Sequence, residues 1–194
     1  MILIRTVRMG RGCMYSDADL YCTLYMLSRN SAVGRRKICR ELDLGDGSIK
    51  GLLSLMRDQE LIMTSKEGSS ITPYGLELVD RIGIVPVSIN VGRFVIGQHQ
   101  NGALIRGGAR LISNGTEQRN LAIRSGGEGC TTWVIRDRRM FMAPDMNMEE
   151  LSPGFSKTVL ESVDAEDGDA LIVCSAENES MARLISIDVA LNTL

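Results

Sequence analysis

Lys50, Ser54 and Arg57 stand at i, i+4 and i+7, so on a helix they share one face. Ile49, Leu52, Leu53 and Met56 stand at i, i+3, i+4 and i+7 and share another. One face is apolar; the other carries cations and a small hydroxyl. Such a helix packs on its own domain through the first face. From the second it can reach phosphates and base edges in a major groove. Upstream, Arg35, Arg36, Lys37 and Arg40 load a shorter helix over 34–42, whose Ile38 and Leu42 point inward. Downstream, Lys66 precedes the turn of a two-stranded ribbon and Ser69 lies in it. The residues expected to contact double-stranded DNA are therefore Arg35, Arg36, Lys37, Ser48, Lys50, Ser54, Arg57, Lys66 and Ser69. Asp46 is the discordant charge. It can cap the helix or accept from a cytosine amino group.

A second chemistry is suggested by Gly126-Gly127-Glu128-Gly129-Cys130-Thr131-Thr132. Glycines let backbone N–H groups approach a ligand, and the threonines offer hydroxyls. Arg106, Arg119 and Arg124 could meet an anion such as a phosphate or carboxylate. The candidate effector-binding set is Arg106, Arg119, Gly126, Gly127, Thr131 and Thr132. A phosphate loop normally precedes a helix. These glycines follow one, so a helix C-cap with a tight connection is the competing reading.

No catalytic residue is indicated. The chain has no Walker-type lysine, no dinucleotide fingerprint and no nucleophile–base pair. His99, the one histidine, sits in polar Gly97–Gly102 and reads as a loop tip. Asp164, Glu166, Asp167 and Asp169 form an acidic run that reads as a solvated loop or subunit contact rather than a metal site. The methionines, Met140, Met142, Met146 and Met148 among them, read as sheet core. The expectation is a protein that is not an enzyme, with no cofactor and no metal.

The elements that must hold these residues follow from periodicity and caps. Ser16 caps a first helix, with Asp17 and Asp19 in its first turn and Leu20, Leu24 and Leu27 as its stripe. The two basic helices follow. Residues 59–66 read as a strand, Glu67–Ser70 as a turn, and Thr72-Pro73 as the cap and first position of a last helix anchored by Leu78, Val79 and Ile82. The order is helix, helix, helix, hairpin, helix. A boundary near Gly83–Pro86 divides the chain into domains 1–83 and 84–194.

The second half reads as β-rich. Strands are expected at 87–91, 93–97, 103–106 and 109–112, the last two divided by a glycine pair. A helix follows over 117–125, capped by Thr116 and stopped by Gly126-Gly127. A hairpin of 131–135 and 139–142 turns at Asp137-Arg138. A helix at about 148–163, a strand 170–174 and a helix 178–192 complete an α+β domain with a mixed sheet.

The first domain resembles the winged helix-turn-helix. Gly47-Ser48-Ile49-Lys50-Gly51-Leu52-Leu53 followed by Leu61-Ile62 is similar to the recognition helix and first wing strand of that family. Ile71-Thr72-Pro73-Tyr74-Gly75 is similar to the wing exit in the multiple-antibiotic-resistance regulators and their archaeal relatives. The second domain resembles an uncharacterised C-terminal domain fused to winged helices in archaeal proteins. That likeness rests on residues 117–132, Pro144-Asp145 and Gly168-Asp169-Ala170-Leu171-Ile172-Val173. The resemblance implies a transcription regulator and names no ligand.

Composition sets bounds. At 194 residues there is room for two small domains. The net charge of -2 excludes a polycation that coats nucleic acid. Residues 1–66 are net +4 and residues 151–194 net -6 by count, so any DNA contact should be local and salt-sensitive. The five cysteines (Cys13, Cys22, Cys39, Cys130 and Cys174) lack metal-ligand spacing and read as reduced, mostly buried thiols. No apolar run approaches a membrane span, and Arg5, Arg8 and Arg11 interrupt any leader, so a cytoplasmic protein is expected. The function expected is a DNA-binding transcriptional regulator. It would act as a homodimer through a C-terminal sensor or dimerisation domain, with a small-molecule effector. The alternatives are a metabolite-binding protein or enzyme with an attached winged helix, and a protein–protein adaptor using the acidic surface.

Overall fold

A computed structural model describes residues 15–194. Cys13 and the leader-breaking arginines lie outside them. The chain forms two compact units that meet in sequence at Gly83–Ile84, and each is an assembly of helices and antiparallel strands.

In the first unit, α1 (Asp17–Ser28) starts on a capping box. The Asp19 N–H donates to Ser16 Oγ at 3.2 Å, and the Ser16 N–H donates to Asp19 Oδ2 at 2.7 Å. Its Leu20, Leu24 and Leu27 are buried. Ile38 and Leu42 bury one side of α2 (Arg35–Leu42), which ends at left-handed Asp43. The next helix, α3 (Asp46–Asp58), begins behind Gly45, its N-cap. Ile49, Leu52 and Met56 are fully buried, and Leu53 is half-buried.

The ribbon strands β1 (Ile62–Thr64) and β2 (Ser69–Ile71) pair antiparallel, Ile62 opposite Ile71 and Thr64 opposite Ser69. β1 is shorter than the expected 59–66, and β2 starts earlier than the expected turn allows. Residues 59–61 are the exit from α3, with Glu60 left-handed, and Ser69 and Ser70 already belong to β2. The turn is Ser65–Gly68, closed by the Ser65 N–H on the Gly68 carbonyl at 2.8 Å. α4 (Pro73–Ile82) is capped by Thr72, whose hydroxyl accepts the Gly75 N–H at 3.0 Å. Gly75 is required there: a Cβ would lie 2.3 Å from the Leu61 carbonyl oxygen.

The second unit is a six-stranded sheet ordered β3-β4-β8-β5-β6-β7. Its strands are β3 (Ile84–Val87), β4 (His99–Ile105), β5 (Gly129–Arg136), β6 (Arg139–Met142), β7 (Met146–Asn147) and β8 (Ala170–Ala176). Every neighbouring pair is antiparallel. The expected mixed sheet is thus corrected. β4 and β5 run the same way and are joined through α5 (Thr116–Arg124), but β8 occupies the lane between them in the opposite sense. His99 is not a loop tip; it opens β4.

One sheet face carries Leu104, Trp133, Ile135, Met140, Leu171 and Val173. They pack against Val91, Val95, Met148 and Val159. The other face is covered by α5 and α8 (Glu179–Thr193). Of the strands expected at 87–91 and 93–97 only Val87 lies in a strand, as the end of β3; the rest is a loop with one 3-10 turn over Gly92–Phe94, and 108–111 is a second 3-10 turn. The helix expected over 148–163 breaks at Pro153-Gly154 into α6 (Met148–Leu151) and α7 (Phe155–Val163). Proline has no N–H to donate, and Gly154 is left-handed. The Asp137-Arg138 hairpin turn has both central residues at positive φ, as a two-residue I′ turn requires. Among the described residues no helix is long and apolar enough to cross a membrane.

Candidate nucleic-acid interface

Burial on one side decides what the helices of the first unit show on the other. With Ile38 and Leu42 inside, Arg36, Lys37 and Arg40 stand exposed on α2. With Ile49, Leu52 and Met56 inside, Lys50 and Arg57 stand exposed on α3, and Ser48 and Ser54 are half-buried. Lys66 is exposed at the ribbon turn. Among the described residues, Arg36, Lys37, Arg40, Lys50 and Lys66 make no ion pair.

Two of the expected cations are already engaged. Arg35 Nε lies 2.8 Å from Asp46 Oδ1, so the carboxylate answers a cation of α2 rather than capping α3. Arg57 donates from Nη2 to Ser54 Oγ at 3.1 Å and lies 3.9 Å from the Asp58 carboxylate. Ser69 departs from its expected place. It is 2% exposed and bonded to Val33 in both directions, at 2.8 and 2.9 Å. The alternation of a short strand turns it inward, away from any ligand on the outer face.

The effector set does not converge. Arg106 follows the end of β4, where its Nη1 donates to Asp169 Oδ2 at 2.8 Å and to the Asp164 carbonyl at 2.8 Å. Gly127 lies beside Ser175, at the opposite end of β8 from Asp169. Six residues of strand separate the two ends, roughly 20 Å at about 3.3 Å per residue. Three backbone donors of the glycine loop are already used. The Gly126, Gly127 and Glu128 N–H groups donate to Ile123, Ala122 and Ser175 carbonyls at 3.1, 2.8 and 2.8 Å. It is a helix C-cap, with Gly126 at φ +91. Thr131 and Thr132 point to opposite faces of β5. Thr131 donates to the Phe94 carbonyl at 2.6 Å, and Thr132 is buried with no partner for its hydroxyl among the described residues. Arg119 is exposed on α5. Among the described residues there is no metal-binding group of three or more His, Cys, Asp or Glu side chains.

The spacing rules did not single out Gln100. Its side chain accepts the Val91 N–H at 2.9 Å and donates to the Gly92, Val95 and Gly97 carbonyls at 2.9, 3.1 and 3.0 Å. One buried amide thereby fixes the loop 91–97. No pattern in the sequence marks it, because its partners are backbone groups.

Residues 96–194 match the family described as Domain of unknown function (DUF4443), and the chain belongs to that family. The match runs from just before β4 through α8. A solved structure, the hypothetical protein PH0730 from Pyrococcus horikoshii OT3, is similar over 91% of each chain with a TM-score of 0.69 and 24% identity. At that identity the likeness is one of α+β fold. No curated protein matches the chain.

Proposed function

We propose that this protein is a DNA-binding transcriptional regulator whose first unit is a winged helix-turn-helix. The observation that carries the reading is the set of exposed cations free of ion pairs on α2, α3 and the ribbon turn. It is supported by the element order, with a solvent-facing second helix of the helix pair followed by a short ribbon. In this reading α3 enters the major groove, Lys50 leads the contacts, and Lys66 on the ribbon meets adjacent backbone. The modest net charge makes the contact local. The protein works as a cytoplasmic homodimer. Its second unit spaces two copies of α3 about 34 Å apart, one turn of duplex. It is a binding protein rather than an enzyme, and it holds no cofactor. Any effector site lies elsewhere than the dispersed arginine–glycine–threonine set.

The test is fluorescence anisotropy with labelled genomic fragments at low and rising salt. Specific fragments should bind, with affinity falling steeply as salt increases. Purified protein that binds no fragment even at low salt overturns the reading.

A further inference from the structure

Cys130 on β5 lies opposite Cys174 on β8. The Gly168 N–H donates to the Ile135 carbonyl at 2.9 Å, and the Ile135 N–H donates to the Asp169 carbonyl at 3.0 Å. With Gly168 at φ +93, this is a bulge of the G1 type. It sets Ile135 and Asp169 as a hydrogen-bonded pair. Counting along the ladder, hydrogen-bonded and non-hydrogen-bonded pairs alternate, and Cys130–Cys174 falls in the second class. In such pairs the Cα atoms approach to about 4.5 Å and the side chains are closest. That lies within the roughly 4.4–6.8 Å span of disulfides.

We propose that Cys130 and Cys174 are an oxidative modification site, at which a cross-strand disulfide closes between β5 and β8 beneath α8. The two cysteines differ in access. Cys174 is fully buried and Cys130 is half-buried, so Cys130 is reached first. The Cys174 thiol is held well above its ordinary pKa by the hydrogen bond with Cys130, by burial and by the charge of Asp188. Asp188 is fixed on α8 by the Ser125 hydroxyl at 2.8 Å. Cys174 therefore stays a thiol until its neighbour is activated.

The oxidant is a low-molecular-weight disulfide such as glutathione disulfide. The Cys130 thiolate attacks one of its sulfurs, the S–S bond breaks, and the first glutathione leaves as thiolate and takes a proton from water. Cys174 sulfur then attacks Cys130 sulfur of the mixed disulfide, and its proton passes to the departing second glutathione. Two protein thiols become one disulfide, and the oxidant is reduced to two thiols.

The test equilibrates the full chain in graded mixtures of oxidised and reduced glutathione. Free thiols are then alkylated under denaturing conditions, and peptides are mapped by mass spectrometry. The expected result is a linked Cys130–Cys174 peptide pair that appears with a single midpoint. Oxidised protein should melt at a higher Tm than reduced protein. In Cys130→Ser the linked pair should vanish, and Cys174 should remain fully alkylated. Because the wild-type map reads the bond directly, the test stands even if Cys174→Ser does not fold; Cys174→Ala provides the second variant. Alkylation of both cysteines at the most oxidising ratio overturns the proposal. So does their recovery only as glutathione adducts or linked to other cysteines.

Discussion

Arg35 Nε and Asp46 Oδ1 lie 2.8 Å apart, and the pair ties the first residue of α2 to the first residue of α3. Both side chains are at least half exposed, so the pair contributes about 0–1 kcal/mol to stability. Its larger effect is on charge: it neutralises a cation on the face that would meet phosphate. Asp46→Asn should leave stability within about 1 kcal/mol, including the loss of an anion at a helix N-terminus. It should also tighten DNA binding by freeing Arg35. An anisotropy titration in low salt reads this, and weaker binding by the variant would place Asp46 among the contacts instead.

Lys50→Ala and Lys66→Ala should separate two roles. If Lys66 meets only phosphate, its loss weakens all sequences alike and lowers the slope of log K against log salt by about 1. If Lys50 also reaches a base edge, its loss costs about 1–3 kcal/mol on the preferred sequence and less on others. Equal effects of both variants on every sequence would remove Lys50 from base readout.

Gly47 sits near the start of α3 with nothing within 4 Å of where a Cβ would lie. Gly47→Ala should therefore stabilise the protein by about 0.4–1 kcal/mol through the unfolded state. If α3 approaches DNA by its N-terminal turn, the same methyl should weaken binding. A variant that melts higher and binds unchanged would put the contact further along the helix.

Most helices of the first unit were legible because local signals agree there. Ser16 caps α1 with Asp17 and Asp19 in its first turn, Thr72-Pro73 opens α4, and Leu20, Leu24 and Leu27 are all buried. Ser69 is buried instead of facing a ligand because its bridge to Val33 is a tertiary contact that local spacing does not carry. In the second unit, Val87, Ile89 and Val91 alternate as a strand does, yet the strand ends at Val87 and Gln100 binds the backbone from Val91 onward as a loop. Thr116, expected as an N-cap, is the first residue of α5. Asn114 Oδ1 instead accepts the Thr116 N–H at 3.0 Å, so α5 starts at Thr116 behind left-handed Gly115. The arginine, glycine and threonine candidates looked like one site in sequence. With β8 between β4 and β5, Arg106 and Gly127 fall at opposite ends of β8, and Arg119 lies on α5.

Gln100 therefore supports a prediction the sequence would not suggest. Gln100→Leu keeps most of the volume and strands the Val91 N–H and the Val95 carbonyl, both in buried bonds. At about 1–3 kcal/mol per orphaned buried group, the loss should be at least about 2 kcal/mol. Trp133, the only tryptophan and fully buried, reports it by fluorescence in urea. Proteolysis should also open 91–97 first. A variant as stable as the parent would show that water or repacking satisfies those groups.

Glu149 bridges the break between α6 and α7. Its carboxylate accepts the Gly154 N–H at 2.9 Å and the Ser156 N–H at 3.0 Å, and these bonds, with the Ser156 side chain, hold its pKa below the ordinary glutamate value. The folded pKa is depressed, so the unfolded chain binds this proton more readily. The contribution to stability is then fully present above the unfolded pKa and is lost as pH falls through the folded one. Trp133 fluorescence in urea at pH 7 and at successively lower pH should show the parent losing stability across that window. Glu149→Gln should begin less stable at pH 7 and converge on the parent in acid, because protonation removes the same charge-assisted bonds. A gap between the two that stays constant with pH would mean the carboxylate acts through its shape and not its charge.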